Sequence, residues 1–178
     1  IRNYRTDGQL VNWNGAMIGG RFAIQGCTTT SRSPDVVFNP GHEGFLDVSR
    51  FYNGNNEGVC ATRLDGYGAL VGMPLVVAAE ENDQYRLPKV AYAYEQYLVS
   101  WVNPENTKLQ VAAVSTAGLV GTARESVPDA WSQFDPALAA GAGGDYMAAA
   151  KVTTLDTWTD VYGFLWGERL YVPLVIRQ

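Results

Sequence analysis

At 178 residues the chain is long enough for one domain with a substantial core, and its hydrophobic fraction of 47% is that of an ordinary globular protein. A net charge of −5 and a pI near 4.8 exclude the basic surface that nucleic acid or an anionic membrane would need. No apolar stretch approaches the roughly 18 residues of a membrane-spanning helix.

The chain begins at Ile1, with no initiator Met and no signal sequence, so a removed leader or a longer product is expected. The first segment to stand out is Gly15-Ala16-Met17-Ile18-Gly19-Gly20-Arg21-Phe22-Ala23-Ile24. It recurs 53 positions later as Gly68-Ala69-Leu70-Val71-Gly72-Met73-Pro74-Leu75-Val76-Val77. A third copy, Gly118-Leu119-Val120-Gly121, follows 50 positions after Gly68. Repetition at this spacing predicts units that bury their apolar faces only by stacking on neighbours.

Within each repeat the same succession of short apolar runs appears. Ser33-Pro34-Asp35-Val36-Val37-Phe38, Leu87-Pro88-Lys89-Val90-Ala91-Tyr92 and Asp135-Pro136-Ala137-Leu138-Ala139-Ala140 predict a first strand opened by proline. Gly44-Phe45-Leu46-Asp47-Val48, Gln96-Tyr97-Leu98-Val99-Ser100-Trp101 and Asp145-Tyr146-Met147-Ala148-Ala149 predict a second, and Val59–Leu64, Leu109–Val114 and Val161–Trp166 a third. Asn12-Trp13-Asn14-Gly15 and Asp65-Gly66-Tyr67-Gly68 are turn signals, because Asn and Gly tolerate the positive φ of tight hairpins. Ala137–Ala150 is Ala-rich, but Gly141, Gly143 and Gly144 break any helical pattern.

The chain therefore reads as a single all-β domain, a β-propeller of four-stranded antiparallel blades spanning 1–178. Residues 1–24 form a half blade, and 25–77, 78–127 and 128–178 form full blades, about 3.5 repeats in all. A closed ring needs at least four blades. Either a small four-bladed ring closes when Leu170–Ile176 pairs with the N-terminal hairpin, or the missing strands come from another chain or from an upstream piece removed by processing. The second solution is preferred, because an open half blade exposes an unpaired edge.

Few residues carry chemistry. The sole histidine, His42, stands in the turn Asn39-Pro40-Gly41-His42-Glu43-Gly44, where a solvated role is expected over a general base beside Glu43. No nucleophile elbow, phosphate loop or paired Cys/His metal spacing is present. Asn53, Asn55 and Glu57 lie in a loop with the oxygens that Ca²⁺ would take, but the same residues make good turns without an ion, so no cofactor is expected. Cys27 and Cys60 fall where a bridge is geometrically plausible; two separate thiols are the alternative. The loop aromatics Trp13, Tyr67, Trp131 and Trp158, with Tyr52 beside the Asn-rich loop, are the candidate sugar-stacking residues.

Across nearly the whole chain these units resemble the repeat, about fifty residues long, of bacterial secreted and surface propellers, whose blades read "SPxVAYNP…YLVVW…IYGxRLDxxGxxVG". Ser33-Pro34-Asp35-Val36-Val37-Phe38-Asn39-Pro40, Tyr97-Leu98-Val99-Ser100-Trp101, Asp160-Val161-Tyr162-Gly163 and Arg63–Gly72 carry the likeness. Phe45–Arg50 departs from it in lacking the tryptophan of the middle strand. The closing Leu170–Arg177 is similar to a "YLPLVxR" tail of secreted proteins from some filamentous bacteria. The resemblance implies a bacterial secreted or cell-surface propeller. The expected work is non-catalytic: protein–protein interaction or surface assembly, with itself or another extracellular protein, through the incomplete blade. A carbohydrate-binding, lectin-like propeller is the alternative, and a secreted hydrolase with a hidden carboxylate pair ranks third.

Overall fold

The computed structural model describes residues 4–54, 56–81, 86–103, 108–125, 132–141, 145–153, 159–166 and 174–176. Within them the chain is all β, without a helix, and every sheet is antiparallel. A two-stranded sheet of β1 (Thr6–Val11) and β2 (Met17–Ile24) comes first. Next is a four-stranded meander of β3 (Ser31–Asn39), β4 (Gly44–Asn53), β5 (Asn56–Asp65) and β6 (Leu75–Glu81). The second meander holds β7 (Arg86–Ala93), β8 (Gln96–Asn103), β9 (Lys108–Ser115) and β10 (Arg124–Glu125). The third holds β11 (Ser132–Ala140), β12 (Tyr146–Thr153), β13 (Thr159–Trp166) and β14 (Leu174–Ile176). β14 pairs with β13, Val161 opposite Ile176, so it completes the third meander and not the N-terminal hairpin as one closure scheme required.

The prolines lie inside the first strand of each meander, not at its start. The β3–β4 register shifts between Arg32 and Asp35, the β7–β8 register between Arg86 and Lys89, and the β11–β12 register between Phe134 and Ala137. Ser33 and Leu87, which precede Pro34 and Pro88, take φ values of +50° and +51°. A bulge is one of the few places within a sheet where a residue lacking an N–H costs no ladder hydrogen bond. Here it also re-aims the residue that follows, which in β3 is Asp35.

The meanders pack face to face. Leu46 and Val48 of β4 point to one side with Val59 and Ala61 of β5, and meet Tyr97, Val99 and Trp101 of β8 in a fully enclosed cluster. Leu98 and Val111, on the far side of the second meander, meet Tyr146 of β12 in turn. Burying each large apolar side chain here is worth roughly 1.5–3 kcal/mol. Phe45, Tyr97 and Tyr146 hold equivalent positions. The Asn39 amide donates to the Tyr97 hydroxyl at 2.8 Å, and the Tyr146 hydroxyl lies 2.9 Å and 2.7 Å from the carbonyls of Ala93 and Gln96. Each tyrosine thus reaches back to the turn of the preceding meander, whereas Phe45 faces the β1–β2 hairpin without a hydroxyl.

That hairpin is fixed to the first meander by polar and covalent ties. Cys27 and Cys60 form a disulfide. The Thr62 hydroxyl donates to the Gln25 carbonyl at 2.9 Å, and the Thr6 and Ser31 hydroxyls are 2.8 Å apart. Between the fastened hairpin and the meander a gap remains.

Candidate functional site

The gap is a groove of about 420 Å³. One wall is the hairpin, with Gly8, Leu10, Val11 and Phe22; the other is the first meander, with Phe45 and Leu64. Both walls are largely apolar, and two acids of the meander, Asp35 and Asp47, are among the lining residues; Asp47 pairs with Val36, whereas Asp35 pairs with Val48 and turns its carboxylate to β7 of the second meander. Asp7 of the hairpin also lines the groove, but its carboxylate is held by the Arg5 guanidinium at 2.7 Å and 3.3 Å.

Asp47 owes its place to strand alternation. Its neighbours Leu46 and Val48 take the enclosed face, so Asp47 must take the face toward the hairpin. There it is 1% exposed, and its Oδ2 has no hydrogen-bond partner among the described residues. Burial, together with the nearby charge of Asp35, pushes its carboxyl up from 3.8 to about 7. Asp35, re-aimed by the bulge, accepts the backbone N–H of Val90 at 2.9 Å through Oδ2, and the Lys89 ammonium stands 3.9 Å from Oδ1. One carboxyl is therefore poised to carry a proton near neutral pH, while its neighbour is anchored by donors. A buried carboxyl of this kind suits acid–base chemistry.

Trp13 and Tyr67 are not lining residues, but each stands in a turn that follows one, Val11 for Trp13 and Leu64 for Tyr67. Their turns are built alike. In each, the first residue (Asn12 or Asp65) accepts the N–H of the glycine three residues on and exchanges backbone and side-chain bonds with the residue four on. Trp13 is 96% exposed and Tyr67 88% exposed. Tyr52 is half exposed at the opposite end of β4, apart from the groove. Trp131 and Trp158 lie outside the described residues, as does Asn55. Of the weak Ca²⁺ candidates, Asn53 is exposed, and the Glu57 carboxylate is taken by the Arg50 guanidinium. Among the described residues no group of three or more His, Cys, Asp or Glu side chains is arranged to hold a metal ion.

Asp35 and Asp47 were not among the residues singled out from sequence, yet a signal existed. The register places Asp47 opposite Thr62 where the second meander has Val99 opposite Ala112, and the third meander has Ala148 at the same point. An acid stands where two sister units keep small apolar groups.

No family model and no curated protein matches this chain. Among the solved structures that share its fold are two enzymes. One is a GH43 glycoside hydrolase whose active site was engineered to give both endo-xylanase and exo-arabinofuranosidase activity. It is 12% identical with a TM-score of 0.55, over 83% of this chain and 29% of its own. The other is an exo-β-1,3-galactanase from Phanerochaete chrysosporium, also 12% identical, with a TM-score of 0.54 over 91% of this chain and 39% of its own. The chain thus spans well under half the length of either. These likenesses correct two expectations, that of a non-catalytic assembly module and that of a protein that is no enzyme. Both of these solved structures with the same fold are glycoside-cleaving enzymes.

Proposed function

We propose that the chain is part of a carbohydrate-active β-propeller, its meanders the blades, and that the groove between the hairpin and the first meander takes a sugar. The observation that carries this reading is Asp47: a buried, protonatable carboxyl at a position where the sister meanders are apolar, beside Asp35 in an open groove. In this reading the sugar's apolar face lies against Phe22 and Phe45. Protonated Asp47 donates to the glycosidic oxygen, whose bond to the anomeric carbon then breaks. Water forms the new bond to that carbon and passes a proton to the second carboxylate, Asp35, which Val90 and Lys89 hold. The disulfide is compatible with an extracellular location, where such substrates are met.

The test uses aryl xylosides, arabinofuranosides and galactosides, with release of the aryl alcohol as readout. Release is expected from at least one, with loss of about 100-fold or more in Asp47→Asn and Asp35→Asn, both folded by circular dichroism. No release by the wild type from any glycoside, with no carbohydrate bound, would overturn the proposal. Binding without release would favour a second reading, a glycan-binding site, to which the exposed Trp13 and Tyr67 already lend support.

A further inference from the structure

Trp13 and Tyr67 are the two most exposed large aromatic side chains among the described residues, and nothing in the fold requires them. The second meander shows this directly. There the turn Ser115-Thr116-Ala117-Gly118 has the same hydrogen bonds, Gly118 N–H to the Ser115 carbonyl at 2.9 Å and Ser115 N–H to the Leu119 carbonyl at 2.9 Å, with the Ser115 hydroxyl accepting from Leu119. Its two central residues are Thr116 and Ala117, where the first turn has Trp13 and Asn14 and the second has Gly66 and Tyr67. An aromatic is therefore no part of how this turn is built.

What separates the three turns is what they border. Trp13 follows Val11, a residue of the hairpin wall, by two positions, and Tyr67 follows Leu64, a residue of the opposite wall, by three. The Tyr67 turn also rests on the groove itself: Gly68 approaches the Phe22 ring so closely that a Cβ would collide with it. The third turn does not border this groove; Ala113 and Gly121 on either side of it line a smaller, separate pocket of about 240 Å³. Gly118 lies against the Arg63 guanidinium, which donates to the Thr116 carbonyl at 3.1 Å. Aromatic tips occur at the two turns that continue the groove walls and are missing from the one that does not.

We infer that Trp13 and Tyr67 are stacking platforms at the mouth of the groove, one on each wall, and that the ligand is a chain of several sugars extending out between them. This rests on the carbohydrate reading of the groove and adds the ligand's length and direction. A pyranose presents a face of C–H groups that packs on an indole or phenol ring, and a rigid turn holds the ring ready at little entropic cost. A single sugar enclosed in the groove would have no use for rings outside it.

The experiment is calorimetric titration of the whole chain with xylo-, arabino- and galacto-oligosaccharides of increasing length, using Asp47→Asn to prevent turnover. Affinity is expected to rise about tenfold or more from the monosaccharide to the longer chains. Trp13→Ala and Tyr67→Ala, each added to Asp47→Asn, should flatten that rise, and Trp13→Phe should restore part of it. Affinity independent of length, or a rise that survives both alanine variants, would overturn the inference while leaving the groove as a sugar site. Absence of binding to every sugar by the wild type as well would overturn the groove reading itself.

Discussion

Asp47 occupies in the first meander the register position that Val99 occupies in the second: Asp47 is opposite Thr62, and Val99 is opposite Ala112. Val99 is enclosed by the neighbouring meander and contributes to its main apolar cluster. Asp47 instead meets the two-stranded hairpin, where a groove takes the place of a packed face. One substitution between sister units thus marks the boundary between structure and site.

The first prediction concerns pH. The folded state raises the Asp47 carboxyl from 3.8 to about 7, so between those values the folded chain binds more protons than the unfolded one. Stability should therefore fall as pH rises through this window, by up to about 4 kcal/mol. Asp47→Asn should remove that loss and be the more stable protein at pH 8. Urea unfolding of both proteins from pH 4 to 8 checks it, and parallel pH profiles would contradict the assignment.

The second concerns the disulfide. Cys27 and Cys60 are 33 residues apart, and a loop of that length adds roughly 3–4 kcal/mol when closed. Cys27→Ala/Cys60→Ala should lower the urea midpoint accordingly. Because the bridge fastens the hairpin wall beside the groove, ligand affinity should fall with it. A variant of unchanged midpoint would show that the Thr62–Gln25 and Thr6–Ser31 contacts suffice.

The third compares two glycines of equal backbone and unequal surroundings. Gly15 and Gly68 both have φ of +84°, but a Cβ at Gly15 meets nothing within 4 Å, while one at Gly68 meets the Phe22 ring. Gly15→Ala should cost about 1 kcal/mol, the left-handed strain alone. Gly68→Ala should cost distinctly more and perturb the groove through Phe22. Thermal unfolding of the two variants measures the difference; equal losses would mean that the turn moves freely against the hairpin.

Much of the architecture was legible in the chain because it is local. Glycine-marked turns, alternating apolar runs and the repeat from Gly15 to Gly68 to Gly118 specify short antiparallel strands through backbone preference and side-chain period. The proline positions were visible too, although only the pairing showed that Pro34, Pro88 and Pro136 sit at bulges and not at strand starts. The exposed aromatics Trp13 and Tyr67 were candidates from sequence because a tryptophan between asparagines is conspicuous wherever it folds. The site acids were not, since Asp35 and Asp47 are unremarkable in a list of residues and lie 12 positions apart.

The sequence by itself determined that this is an all-β chain of repeated four-stranded units, and left open whether its two cysteines meet. Only the tertiary structure decided that Asp47 is buried, that Asp35 stands beside it, and that a groove separates the hairpin from the first meander. The reason is physical: strand formation depends on neighbours along the chain, whereas the protonation of a carboxyl depends on which surfaces exclude water from it.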